Sequence, residues 1–177
     1  VTLCCHSPSF VRGIAFSPDG TRLVTGGFDN LARVWDAETG RVLLNLSGHT
    51  AGIWDVTFSP DGKNVATASN DGTAKVWEAT TGQLLLTLTG HTGNVFRAVF
   101  NPDGKRIATA SGDGSLKVRD VGTTSGPVSP PLTIYNPNAS MMIGVAFSPD
   151  GKRLAASSID GTVRVYALPL DDLISIA

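Results

Sequence analysis

Apolar residues along this chain recur in short alternating runs separated by polar turns. In Ile53-Trp-Asp-Val56-Thr-Phe58 the side chains of residues 56 and 58 fall on one face, the period of a strand. Ile53 is out of phase by one residue, which predicts a bulge. Ser59-Pro-Asp-Gly62 then turns the chain, Pro presetting φ and Gly supplying φ > 0. Asn64-Val-Ala-Thr-Ala-Ser69 reads as a strand of small side chains suited to close packing, and Asn70-Asp-Gly-Thr73 as a hairpin turn. Ala74-Lys-Val-Trp77 alternates again, and Thr80-Thr-Gly82 leads into Gln83-Leu-Leu-Leu-Thr-Leu88. The pattern predicts four short antiparallel strands in one unit.

The unit repeats. Phe16-Ser-Pro-Asp-Gly20, Phe58-Ser-Pro-Asp-Gly62, Phe100-Asn-Pro-Asp-Gly104 and Phe147-Ser-Pro-Asp-Gly151 mark four copies, spaced by 42, 42 and 47 residues. Each is followed by a second turn, at Asp29-Asn30, Asp71-Gly72, Asp113-Gly114 and Asp160-Gly161. A four-stranded unit with a period near 42 predicts an all-β fold of propeller blades. The expected organisation is an outer strand of a preceding or closing blade at 1–5, then blades at 6–47, 48–89, 90–136 and 137–177. The third blade carries a Pro/Gly/Ser loop at 122–131, and the fourth a tail whose Leu173–Ala177 reads either as an outer strand or as a helix.

Gly48-His49, then Ser69-x-Asp71, then Val76-Trp77-Glu78 resembles the WD-repeat β-propeller family, over essentially the whole chain. That resemblance implies a hydrogen-bonded tetrad of His, Ser/Thr, Asp and Trp with a structural role. Carried over residue by residue, it gives His49, Ser69, Asp71 and Trp77 in the second unit. The third gives His91, Ser111 and Asp113, with Arg119 in place of Trp. The first unit keeps Asp29 and Trp35 but shows Gly27 at the hydroxyl position and Ser7 at the His position, while His6 fits no motif. The fourth has Ser158, Asp160 and Tyr166, with Asn138 near the His position.

Propellers of this family mostly have more than four blades. The count therefore predicts a partial propeller, or a half-propeller that pairs as a homodimer into an eight-bladed ring. The resemblance also places partner binding on the narrow top face. There it implies Arg12, Trp54, Phe96 and Ile143 beside the innermost-strand bulges, with Phe28, Asn70, Gly112 and Ile159 before the hairpin Asp. Arg and aromatic side chains are the types that anchor protein interfaces.

Composition narrows the function. Charged residues make up 16%, formal net charge is −1, and Lys and Arg are scattered without a basic stripe. Nucleic acid and anionic membranes are therefore not expected partners. Adjacent Cys4 and Cys5 cannot readily bridge each other, which fits a reducing, cytoplasmic compartment. Three scattered histidines and two cysteines make no metal pattern, and no catalytic motif is present. The eight turn aspartates are accounted for by turn chemistry. The expectation is a non-catalytic, cofactor-free scaffold or sensor module that binds proteins or peptides. The alternative to an independent scaffold is a propeller accessory to an active site outside this chain.

Overall fold

A computed structural model describes His6, residues 9–121 and residues 130–168. Among the described residues, fifteen strands form four antiparallel sheets. The first contains β1 (Val11–Phe16), β2 (Arg22–Gly27), β3 (Leu31–Asp36) and β4 (Val42–Ser47), in sequential order. The second contains β5 (Ile53–Phe58), β6 (Asn64–Ser69), β7 (Ala74–Glu78) and β8 (Leu84–Leu88). The third contains β9 (Val95–Phe100), β10 (Arg106–Ser111), β11 (Ser115–Asp120) and β12 (Leu132–Tyr135). The fourth has three strands among the described residues, β13 (Met142–Phe147), β14 (Arg153–Ser158) and β15 (Val163–Ala167). The expected strand at 1–5, the loop at 122–129 and the tail at 173–177 lie outside the described residues.

The Ser/Asn-Pro-Asp-Gly phrase closes each first hairpin with the same two backbone bonds, to which Ser adds a hydroxyl bond to Asp. Ser59 N–H donates to Asn64 O at 2.8 Å, Gly62 N–H to Ser59 O at 2.9 Å, and Ser59 Oγ to Asp61 Oδ1 at 2.6 Å. Gly62 sits at φ 70°, a conformation that a Cβ would strain. Asp61 is held below its ordinary value, chiefly by the Ser59 hydroxyl and then by the Lys63 amide.

The sheets pack face to face in chain order. Val24, Ala32, Val34 and Leu46 of the first sheet bury Ile53, Val56 and Phe58 of the second. Ala66, Ala68 and Val76 in turn cover Val95 and Ala98, and Ala108, Leu116 and Val118 cover Met142 and Val145. Small side chains on the second strand permit this approach, the close packing on which sheet-to-sheet cores depend. Gly13 shows the limit: a Cβ there would meet the backbone N of Val56 at 2.8 Å.

The outward faces of the first and last sheets carry the same side-chain types without a covering sheet among the described residues. Ile14 and Phe16 on β1 are each 65% exposed, and Val163 and Val165 on β15 are 71% and 63% exposed. Their counterparts Val56 and Phe58, and Ala32 and Val34, are buried.

Two polar contacts reinforce the stacking. Arg22 donates through Nη1 to Ala79 O at 2.8 Å and through Nη2 to Gly62 O at 2.9 Å, clamping the turns of the next sheet. Asp55 accepts from Arg97 Nη1 at 3.1 Å and from Ala98 N–H at 3.2 Å, joining β5 to β9. Burial pushes the Asp55 carboxyl up, against the pull of Arg97 and the Ala98 amide.

Candidate functional site: tetrads and the bulge face

The buried polar network of the second sheet runs through β6 and β7. His49 Nδ1 lies 2.7 Å from Asp71 Oδ2 and His49 Nε2 lies 2.7 Å from Thr67 Oγ1, while Trp77 Nε1–H donates to Thr67 Oγ1 at 3.0 Å. Burial pulls His49 below its ordinary value despite the Asp71 carboxylate, so the ring is neutral at pH 7. Burial pushes Asp71 up, but the Thr73 hydroxyl, His49 and the Thr50 amide together outweigh it and leave the group at about 2. One assignment satisfies every atom: Nδ1–H donates to Asp71, the Thr67 hydroxyl donates to Nε2, and Thr67 Oγ accepts from Trp77.

The tetrad hydroxyl is therefore Thr67, and Ser69 is not a member. Ser69 Oγ donates to Ala51 O at 2.9 Å and accepts from the Asp71 amide at 3.1 Å, tying the hairpin to the loop before β5. The third sheet corrects in the same way. His91 lies 2.9 Å from Asp113 and 2.7 Å from Thr109, whereas Ser111 Oγ donates to Gly93 O at 3.2 Å. Side chains alternate along a strand, so position 67 reaches the ring and position 69 lies one pleat nearer the turn. Arg119 stands in the Trp position and instead donates to Thr89 O at 2.5 Å.

The first sheet holds a complete tetrad that the sequence reading missed. His6 lies 2.8 Å from both Asp29 Oδ1 and Thr25 Oγ1, and Trp35 Nε1–H donates to Thr25 Oγ1 at 2.8 Å. His6 takes the role assigned to Ser7, which lies outside the described residues. Gly27 is not a lost hydroxyl position but the space for this ring, since a Cβ there would stand 2.3 Å from His6 Nδ1. In the fourth sheet two asparagines stand in place of the His: Asn138, four residues before Met142 as His49 is before Ile53, donates to Asp160 Oδ2 at 3.0 Å, and the buried Asn136 donates to Ser158 Oγ at 2.8 Å. Ala156 occupies the position of Thr67, and the buried Tyr166 hydroxyl has no partner among the described residues.

A hydroxyl, an imidazole and a carboxylate in a row have the composition of a hydrolase relay. The Thr67 oxygen, however, is buried and already accepts from an indole N–H. The bonds tie β6, β7 and the loop before β5 to one another. Among the described residues no cluster of three or more His, Cys, Asp or Glu could hold a metal ion, and no helix is long and apolar enough to cross a membrane.

A second constellation lies at the strand bulges. Register shifts by one residue between Val11 and Gly13, between Ile53 and Asp55, and between Met142 and Gly144; on β9 the same shift falls between Val95 and Arg97. The extra residues are Arg12, Trp54, Ile143 and Phe96. Phe28, Asn70, Gly112 and Ile159 sit beside them, their amides donating to Phe10, Gly52, Asn94 and Met141 carbonyls at 2.9 to 3.1 Å.

Trp54 is the centre of this face. Its ring meets Phe28 and Phe96 edge-on, each with a centroid distance of 5.3 Å, and the Arg12 guanidinium lies 4.4 Å over it. Its indole N–H donates to Asn70 Oδ1. Gly52 makes room for Phe28, since a Cβ would stand 2.7 Å from the ring. Arg12, Trp54, Phe96, Arg97 and Ile143 line an open cleft of about 360 Å³. Ile159 is exposed beyond it and lies farther along the same edge.

The family model "WD domain, G-beta repeat" matches residues 1–36, 40–78, 82–120 and 130–167. The chain belongs to the WD-repeat family. Among curated proteins it is 42% identical over 53 residues to the general transcriptional corepressor TUP1 of Saccharomyces cerevisiae, covering 28% of this chain and 7% of that protein. It is 41% identical over 49 residues to F-box/WD repeat-containing protein 7 of Drosophila melanogaster (28% of this chain, 4% of that protein). It is also 42% identical over 50 residues to a probable E3 ubiquitin ligase complex SCF subunit, scon-2, of Neurospora crassa (25% of this chain, 8% of that protein). The chain spans less than a tenth of the length of these relatives. The repeats are thus blades of the WD type, the class used for partner binding and scaffolding.

Proposed function

We propose that this chain is a non-catalytic interaction module of a larger signalling or regulatory protein, holding protein or peptide partners on the face that carries the four bulges. The carrying observation is the convergence there of Arg12, Trp54 and Phe96 on one open cleft. These residues come from three different sheets, each tied beneath by a His–Asp–Thr network. A surface assembled from several repeats in this way suits recognition of an extended partner. The names of the relatives, a corepressor and ubiquitin ligase subunits, are in keeping with a scaffold role. The test is affinity capture with the parent chain beside Trp54→Ala and Phe96→Ala, each verified as folded by circular dichroism. Partners retained by the parent and lost by both variants support the reading; partners unchanged in both sink it.

A second reading is favoured by the exposed apolar faces at Ile14 and Phe16 and at Val163 and Val165. One is the counterpart of the side buried between blades, the other of the side that buries it, so two copies could close face to face. Sedimentation equilibrium of the chain tests this: a dimer supports pairing, and a folded monomer overturns it.

A further inference from the structure

Resting on the bulge-face reading, we infer that the cleft takes an extended peptide in which an Asp or Glu stands beside bulky aliphatic residues. Its acidic side chain would lie between Arg12 and Arg97. The charge at the cleft is one-sided. Its lining contains two guanidiniums, two aromatic rings and Ile143, and no carboxylate. Arg12 is exposed and meets no carboxylate among the described residues; its guanidinium carbon lies 4.4 Å over the Trp54 ring, and its N–H groups make no hydrogen bond among the described residues, which leaves them free to donate. Arg97 has a side chain 49% exposed, and its Nη1 donates to Asp55 beneath the cleft floor. That contact orients the guanidinium and leaves its other N–H groups available above.

The placement of the acidic and aliphatic side chains follows from what lies on either side. Toward the first sheet the cleft ends at Arg12. Toward the fourth it runs onto Ile143, Met141 and Ile159, which are 43%, 38% and 55% exposed. A carboxylate at one end and aliphatic side chains at the other match this gradient, and a planar, bidentate acceptor suits two forked donors. A basic peptide would meet two like charges, and a wholly apolar one would strip water from both guanidiniums without replacing those hydrogen bonds.

The experiment is panning of a random peptide library displayed on phage against the purified full chain, in parallel with Arg12→Gln, Trp54→Ala and Phe96→Ala. Circular dichroism and a thermal melt check each variant. Arg12 makes no hydrogen bond among the described residues, so its variant is expected to melt with the parent. The expected pool carries Asp or Glu next to Leu, Ile or Phe. Synthetic peptides from it should bind about tenfold more weakly to Arg12→Gln and lose affinity as salt is raised. Enriched peptides without an acidic residue that still fail on Trp54→Ala would overturn the acidic specificity and leave the bulge-face reading standing. Peptides that bind Trp54→Ala and Phe96→Ala as well as the parent would overturn both. A pool with no enrichment would overturn the peptide site.

Discussion

Replacing Thr67 by Val keeps the shape of a fully buried side chain and removes one oxygen. That oxygen accepts from Trp77 Nε1 at 3.0 Å and donates to His49 Nε2 at 2.7 Å. Without it, an indole N–H and an imidazole nitrogen are both buried with no partner, and each such loss costs about 1–3 kcal/mol. The expected destabilisation is therefore roughly 2–6 kcal/mol, with little cavity term because the volume is conserved. Thr67→Ser keeps the oxygen and removes a methyl group, for which about 1 kcal/mol is expected. The assay is urea unfolding followed by circular dichroism and by tryptophan emission, paired with an NMR titration of His49. Ser69→Ala should cost about 1–3 kcal/mol through its bonds to Ala51 and Asp71 but leave the His49 titration in place. A Thr67→Val cost below about 1 kcal/mol, or a His49 titration moved by Ser69→Ala alone, would refute the assignment.

Three further outcomes follow from the same geometry. Tyr166→Phe removes a buried hydroxyl without a partner among the described residues, so urea unfolding should show a neutral to stabilising change of about 1 kcal/mol. Gly52→Ala places a Cβ 2.7 Å from the Phe28 ring and 3.2 Å from its Cα, so it should cost about 1–3 kcal/mol and disturb the environment of Trp54, read by near-ultraviolet dichroism. In acid, the folded His49 and His91 lie below 6.5, so the unfolded state binds protons first. Stability should be fully present above that value and fall as pH drops below it. A second loss should follow as pH falls from 3.8 toward 2, where Asp71 and Asp113 gain protons, and a melting series across pH checks both windows.

The blade pattern was legible because each level repeated it: alternation, the Pro-Asp-Gly turn and the hairpin Asp agree in every copy. The bulge was legible too, from the broken phase of Ile53 against Val56 and Phe58. The tetrad was harder. In Ala66-Thr-Ala-Ser69 two hydroxyls lie on the same face of the strand, and nearness in sequence to Asp71 favours the wrong one. What decides is depth, since the Trp77 ring crosses at the level of residue 67.

His6 escaped because it follows Cys5 instead of a Gly and sits 43 residues before His49, one more than the repeat step. Only the space beside Gly27 reveals its place. Asn138 was legible near the His position and does reach Asp160, whereas the buried Asn136 two residues before it carried no signal in the repeat. The contact of Arg12 with Trp54 could not be read at all, because it joins residues of different blades.

The central claim is that partners are held at the strand bulges. It is tested most directly by hydrogen exchange of the chain with and without a captured partner. Slowed exchange at the amides around Arg12, Trp54, Phe96 and Ile143 is the predicted result; protection confined to the outer strands β4 and β8, with the bulges unchanged, would contradict it.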